Sequence, residues 1–275
     1  MPDQSADAHV KQYLATRQYR DASNLNARAS LHTLYGTNPY PWFRWVFDQL
    51  LSVAPNSACV LEVGAGPGGL WHENLDRLPQ GWRVTLTDLS EGMVAQQRAN
   101  ISSPAFDFAQ ADIEALPFAD ASFDVTVANH MLYHVPDRAK ALAELRRVMR
   151  PGGALIAATN GEYNMHEIDD LIFSVAPEAA TSEWRASFRH PFTLENGVDQ
   201  LRAYFDAIEI RRYDDSLDVT DADALVAYIR SIDTPEFHDP ATIRRLDAGA
   251  RDAITRGGGV FHITKSVGLF LARST

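Results

Sequence analysis

The stretch Val60–Leu70 reads VLEVGAGPGGL. An apolar, β-rich run ends in Gly64, Gly66 and Gly69, a match to G-x-G-x-x-G. Glycines after a first strand let the backbone turn tightly and let a ligand approach the following helix. The stretch therefore predicts a strand, a ligand-holding bend and a helix, in that order. The glycines do not say what the bend holds. A dinucleotide pyrophosphate is one occupant of this pattern, and the residues downstream have to decide.

Outward from the bend, strands and helices alternate. LWHENLDRL (70–78) reads as a helix, WRVTLTDLS (82–90) as a second strand and EGMVAQQRANI (91–101) as a second helix. FDFAQADI (106–113) and FDVTVANHML (123–132) are the third and fourth strands, the fourth ending in polar Asn129 and His130. DRAKALAELRRVMR (137–150) is an amphipathic helix with Ala139, Leu142, Leu145, Val148 and Met149 on its apolar face. PGG (151–153) signals a turn before a fifth strand, ALIAATN (154–160). Apolar strands alternating with helices mean a parallel sheet covered on both faces. Two later runs, RAYFDAIEIRRYDD (202–215) and VFHITKSVGLFLAR (260–273), read as a sixth strand and a long seventh. Before the bend, WFRWVFDQLLSVA (42–54) is apolar at helical spacing, and Trp42, Phe43, Trp45 and Phe47 serve either as core or as a hydrophobic substrate wall.

Bulk properties narrow the function. The chain has 275 residues, 45% hydrophobic and 22% charged, with a net charge of −11. An acidic surface is ill-suited to nucleic acid, whose binding rests on Lys and Arg against phosphates. Basic residues cluster only in pairs such as Arg146-Arg147 and Arg244-Arg245. No apolar run approaches the length of a membrane span. The start, MPDQSADAHV, lacks the basic and apolar regions of a signal peptide. The lone Cys59 precludes a disulfide within the chain and suits a reducing cytoplasm. The expected partner is a small molecule, not a nucleic acid or a membrane, with a homo-oligomer open through the apolar N-terminal segment.

Acids at strand ends address what the bend holds. Asp88 ends the second strand, where an acid accepts from ribose hydroxyls. That ribose is common to nicotinamide dinucleotides and S-adenosylmethionine. Glu62 ends the first strand just before the bend. A carboxylate there repels a pyrophosphate and attracts a cationic sulfonium–ammonium ligand. Strand alternation leaves open which face Glu62 takes. Asp112 ends the third strand, placed to accept from the exocyclic amine of adenine, with Ile113 against the ring.

Together these segments resemble class I S-adenosylmethionine-dependent methyltransferases, the broad group that includes ubiquinone-biosynthesis and small-molecule enzymes. The matching pieces are VLEVGAGPG, VTLTDLSEGMV, QADIEALPFADASFDVTVANHMLYHVPD and LRRVMRPGGALIAAT, within residues 58–160. The resemblance implies an α/β, Rossmann-like, seven-stranded, mostly parallel sheet with helices on both faces and an antiparallel last strand. It also implies the cofactor S-adenosyl-L-methionine. Glu62, Gly64, Gly66 and Gly68 then wrap the methionine part. Asp88 takes the ribose, with Leu89 and Met93 against adenine, while Asp112 and Ile113 read the adenine edge. Asn129 sits beside the amino-acid portion or the methyl, with His134 just beyond. The N-terminal arm closes over the cofactor in this group, which makes Tyr13 and Tyr19 candidates. The expected organisation is a helical arm or cap over 1–54, a cofactor-binding core over 55–160, and the remaining strands over 161–275 with lid inserts near 161–200 and 214–259.

Each residue has a plainer reading. The glycines could form only a turn, and Asp88 and Asp112 could be helix N-caps. His130 and His134, spaced i,i+4, would share a helical face as catalytic bases, zinc ligands or second-layer supports. HMLYH lacks the Glu and further His or Cys ligands of a zinc site, so no metal is expected. Tyr163, Asn164 and His166 are either methyl-facing or a solvent-exposed lid, and His262 is expected to be buried for structure. The expected reaction is SN2 methyl transfer to an O, N or C atom of a small, hydrophobic organic acceptor, in a secondary-metabolism setting. One alternative is a cofactor-binding protein of the same fold with a structural or non-methyltransfer role. Another is an NAD(P)-dependent oxidoreductase, but no Tyr stands at Tyr-x-x-x-Lys spacing.

Overall fold

The computed structural model describes residues 11–12, 23–179, 191–232 and 235–274. The apolar run before the bend becomes β1 (Cys59–Glu62), and each later apolar run adds a strand: β2 (Arg83–Asp88), β3 (Phe106–Gln110), β4 (Phe123–Asn129) and β5 (Met149–Asn160). All five pair in parallel, in the order β3-β2-β1-β4-β5. The sheet is completed by β6 (Ala207–Tyr213) and β9 (Val267–Arg273), with β9 antiparallel between β5 and β6. This is the seven-stranded sheet with a reversed last strand that the resemblance implies.

Helices cover both faces. α1 (Ser23–Tyr35) and α2 (Trp42–Leu51) precede the sheet, and α3 (Gly69–His72), α4 (Glu91–Asn100) and α5 (Arg138–Val148) cross between strands. One core packs Val46, Phe47 and Leu50 of α2 with Val60, Val84 and Val125 on one face. Another packs Leu142 and Leu145 of α5 with Leu61 and Leu155 on the other. The apolar face of α5 is Ala141, Leu142, Leu145 and Val148; Ala139, expected there, is exposed, and Met149 already begins β5. β5 also runs through PGG, expected as a turn, with a register shift against β4 between Phe123 and Val125. The first crossover helix is a single turn followed by a 3-10 turn (Leu75–Arg77). There the Asn74 side chain donates to the Leu70 and Phe43 carbonyls, competing with the helix's own ladder.

The long run after β6, expected as a lid insert with a helix over DADALVAYIRSI, does carry that helix, together with a second and one strand of a two-stranded ribbon. β7 (Ser216–Val219) pairs antiparallel with β8 (Phe261–Thr264), so the single last strand expected over 260–273 is two strands in two sheets. Around this ribbon lie α1, α6 (His166–Val175), α8 (Ala222–Arg230) and α9 (Pro240–Arg256). They share a separate core that includes Leu31, Ile172, Leu217, Leu225, Leu246 and Ile263. α7 (Gly197–Leu201) leads into β6. His262 is exposed, its ring Nδ1 2.8 Å from Asp218 Oδ1, contrary to the expectation of burial. No helix among the described residues is long and apolar enough to cross a membrane.

Candidate active site

The bend after β1 is held in a shape that favours glycine. Gly64, Gly66 and Gly68 have φ of 59°, 55° and 83°, in the left-handed region. A Cβ on Gly64 would stand 2.9 Å from Met131 Cβ, and one on Gly68 would stand 2.8 Å from Ile101 Cδ1. Gly69, the third glycine of the literal motif, has no such φ; it makes room for the Phe43 ring. Two side chains of α4 hold the bend from outside. Gln97, fully buried, donates to the Gly66 carbonyl at 2.7 Å, and Asn100 donates to the Pro67 carbonyl at 3.0 Å.

Glu62 lies on the face of Val60, and Trp71 Nε1 of α3 donates to its Oε2 at 2.5 Å. The residue is 2% exposed. Burial pushes its carboxyl up to about 8, against the Trp71 bond and with the charge of Asp88 adding to the rise. Asp88 accepts from Gly66 N and Ser90 N, each at 2.9 Å. Burial raises its pKa, and those backbone bonds oppose the rise. The N-cap of α4 is Ser90, not Asp88. Asp112 does cap the 3-10 turn Ile113–Ala115, accepting from Glu114 N at 2.9 Å, so its capping reading holds. Met93 and Ile113 are buried, and Leu89 is half-buried.

β4 delivers the polar pair. Asn129 Oδ1 is buried without a hydrogen-bond partner. His130 sits at φ 55°, and a 3-10 turn (Leu132–His134) follows. The left-handed residue breaks the helix that would have put His130 and His134 on one face, so that expectation is corrected. The His134 ring packs on Tyr133 at 4.5 Å between centroids. The His130 ring instead meets Trp42 at 5.1 Å. Trp42 stacks on Trp45 at 5.3 Å and meets Tyr213 edge-on at 5.3 Å, and its indole Nε1 is buried without a partner. Phe47, by contrast, is plain core. Lys265 Nζ lies 5.6 Å over the Tyr213 ring and pairs with the buried Asp215 carboxylate, which accepts from Thr37 N and Asn38 N. The aromatic wall is thus held at Tyr213 by Lys265 and Asp215.

Tyr163 is exposed, His166 Nδ1 contacts the Tyr163 carbonyl at 3.2 Å, and Asn164 accepts from Ser266 N. Tyr163 and His166 are solvent-exposed, and Asn164 ties a loop. Tyr13 and Tyr19 lie outside the described residues. Among the described residues, no group of three or more His, Cys, Asp or Glu could hold a metal ion. Sequence reasoning missed Trp71, Gln97, Tyr213 and Lys11, whose ammonium meets Asp112 and Glu114. Only Gln97 left a signal, one turn after Met93 on the buried face of α4.

The donor set fits S-adenosylmethionine. A buried carboxylate with one hydrogen-bond donor matches an ammonium group. A carboxylate with two backbone donors keeps lone pairs for ribose hydroxyls. The orphaned Asn129 oxygen asks for a donor, and the glycine cradle leaves space that Cβ atoms would fill.

Comparisons with known proteins agree. Residues 61–157 match the family model described as a methyltransferase domain. A malonyl-[acyl-carrier protein] O-methyltransferase of Enterobacter lignolyticus is 31% identical over 214 residues, covering 72% of this chain and 74% of that protein. The protein of that name from Erwinia billingiae is 34% identical over 165 residues, with this chain spanning 57% of its length. Phosphoethanolamine N-methyltransferase 2 of Haemonchus contortus, solved with S-adenosyl-L-methionine, has a TM-score of 0.59 at 18% identity, over 96% of this chain and 60% of that one. The [4+2]-cyclase SpnF also superposes, with a TM-score of 0.59 at 20% identity and 96% of each chain covered. These two structural likenesses speak to the fold alone. Fold, site and relatives define a Rossmann-like methyltransferase. The chain belongs to the class I S-adenosylmethionine-dependent methyltransferase family, and the nicotinamide reading falls away.

Proposed function

We propose that the chain transfers a methyl group to an oxygen of a small, largely apolar organic acceptor held against Trp42, Trp45, Tyr213 and His130. The observation that carries this reading is the buried, unpaired indole N–H of Trp42 within an aromatic wall at the end of β4. A buried donor without a partner costs stability until a ligand pairs it. An oxygen offers it a lone pair; a protonated amine offers none. The relatives named as O-methyltransferases favour the same atom.

S-adenosylmethionine, when bound, supplies an electrophilic methyl on a sulfonium. The residues around it align and exclude water. In this reading Glu62 faces the ammonium, Gly64, Gly66 and Gly68 wrap the methionine part, and Asp88 accepts from the ribose. Leu89, Met93 and Ile113 line the adenine, Asp112 accepts from its amine, and Asn129 bonds the amino-acid portion. His130, in ring contact with Trp42, takes the acceptor's proton. His134, packed on Tyr133, positions that loop.

The test is a panel of phenols, carboxylic acids, alcohols and amines incubated with methyl-labelled cofactor. Label on oxygen acceptors is expected. Label confined to amines, or to carbon, would overturn the oxygen assignment.

A further inference from the structure

We propose that Lys11 is a positioning residue for the cofactor: its ammonium clasps Asp112 and Glu114 together and so fixes the carboxylate that faces adenine. The inference rests on the role given to Asp112 above and adds a residue outside the matched domain, residues 61–157.

Lys11 Nζ donates to Asp112 Oδ2 at 2.7 Å and to Glu114 Oε2 at 2.6 Å. The side chains are 24% exposed for Lys11, 33% for Asp112 and 8% for Glu114, so solvent screens these pairs less than it would at an open surface. Burial works against the Lys11 charge, and the two carboxylates outweigh it, leaving the pKa raised. Each acid uses its second oxygen elsewhere. Asp112 Oδ1 accepts from Glu114 N at 2.9 Å, and Glu114 Oε1 accepts from Asp137 N at 3.1 Å. Asp137 in turn caps α5 just after the His134 turn. The Lys11 ammonium therefore meets the loop after β3 directly and, through Glu114, the loop after β4.

Without that cation, two neighbouring carboxylates repel each other across the adenine side of the site. With it, both Asp112 oxygens are oriented. A carboxylate has about four lone-pair sites. Lys11 and Glu114 N occupy two and leave room for an exocyclic amine. Orientation fixed before binding lowers the cost of ordering the site when the ligand arrives.

Titration calorimetry of S-adenosylhomocysteine into the full chain, as wild type, Lys11→Met and Lys11→Arg, tests the clasp. Lys11→Met is expected to weaken binding by about fivefold or more, and adenosine as the probe should show the same loss. Lys11→Arg is expected to restore most of the affinity, because a guanidinium reaches two carboxylates at once. Melting temperatures show that the variants are folded. Unchanged affinity in Lys11→Met, with the wild type binding, overturns the clasp alone. Tighter binding also overturns it, since Lys11 would then compete with adenine for Asp112. No binding by any form removes the cofactor assignment and the clasp together.

Discussion

Glu62 is an acid placed where an acid is uncomfortable, and that discomfort can be measured. An unfolded Glu releases its proton near 4.5, while burial holds the folded Glu62 to about 8. Between those values the folded chain keeps a proton that the unfolded chain has lost. Stability therefore falls as pH rises through that window, by up to about 1.4 kcal/mol per pH unit from this group, and levels off above it. The melting temperature of the ligand-free wild type is expected to fall relative to Glu62→Gln between pH 5 and 8. Parallel profiles for the two proteins would contradict this. Glu62 and Asp88 were conspicuous because each is an acid ending an apolar strand; Asp112, expected to end the third strand, instead follows β3 by two residues, where its side chain caps a 3-10 turn. Trp71 and Lys11 were not conspicuous, since each acts on a residue elsewhere in the chain and looks ordinary among its own neighbours, and Gln97 showed only as a polar residue one turn after Met93. The shared helical face expected for His130 and His134 fails for a local reason: His130 is left-handed, just before the 3-10 turn.

The bend between β1 and α3 joins two constraints, backbone sign and lack of room, and substitutions separate them. Gly68 combines φ 83° with an Ile101 methyl 2.8 Å from any added Cβ. Gly152 has φ 73° with nothing within 4 Å. Left-handed strain alone costs on the order of 1 kcal/mol. Gly152→Ala is expected to lose about that much in urea unfolding. Gly68→Ala is expected to lose roughly 2–3 kcal/mol and to weaken S-adenosylhomocysteine as well. Equal losses would mean that the Ile101 contact simply relaxes. The β1 bend was readable because its signal is local. The break between β8 and β9 was not. VFHITKSVGLFLAR has β character throughout, and the break falls just after β8, where Lys265 pairs with Asp215 and packs over Tyr213. Those partners lie far back in the chain.

Two bodies of apolar packing divide the labour of the whole molecule. The sheet and its flanking helices hold the cofactor cradle, while β7, β8 and α1, α6, α8 and α9 form a cap with its own core. Leu246, fully buried, belongs to the cap's core and to neither core of the cradle. Leu246→Ala is expected to destabilise the chain by ~2–5 kcal/mol and leave S-adenosylhomocysteine affinity unchanged at temperatures where it remains folded. A large affinity loss would show the cap and cradle to be coupled. The strand order of the cradle was legible because each strand carries its own apolar run. The cap was legible only as inserts, because its helices and ribbon share a core built from segments far apart in the chain. The most direct test of the site is calorimetry of S-adenosylhomocysteine into wild type and Asp88→Ala, with NAD and NADP as controls. Micromolar binding to the wild type, a loss of about tenfold or more in Asp88→Ala and silence from both dinucleotides are predicted. An Asp88→Ala protein that binds as well as the wild type, or a wild type that binds NAD in preference, would contradict the account.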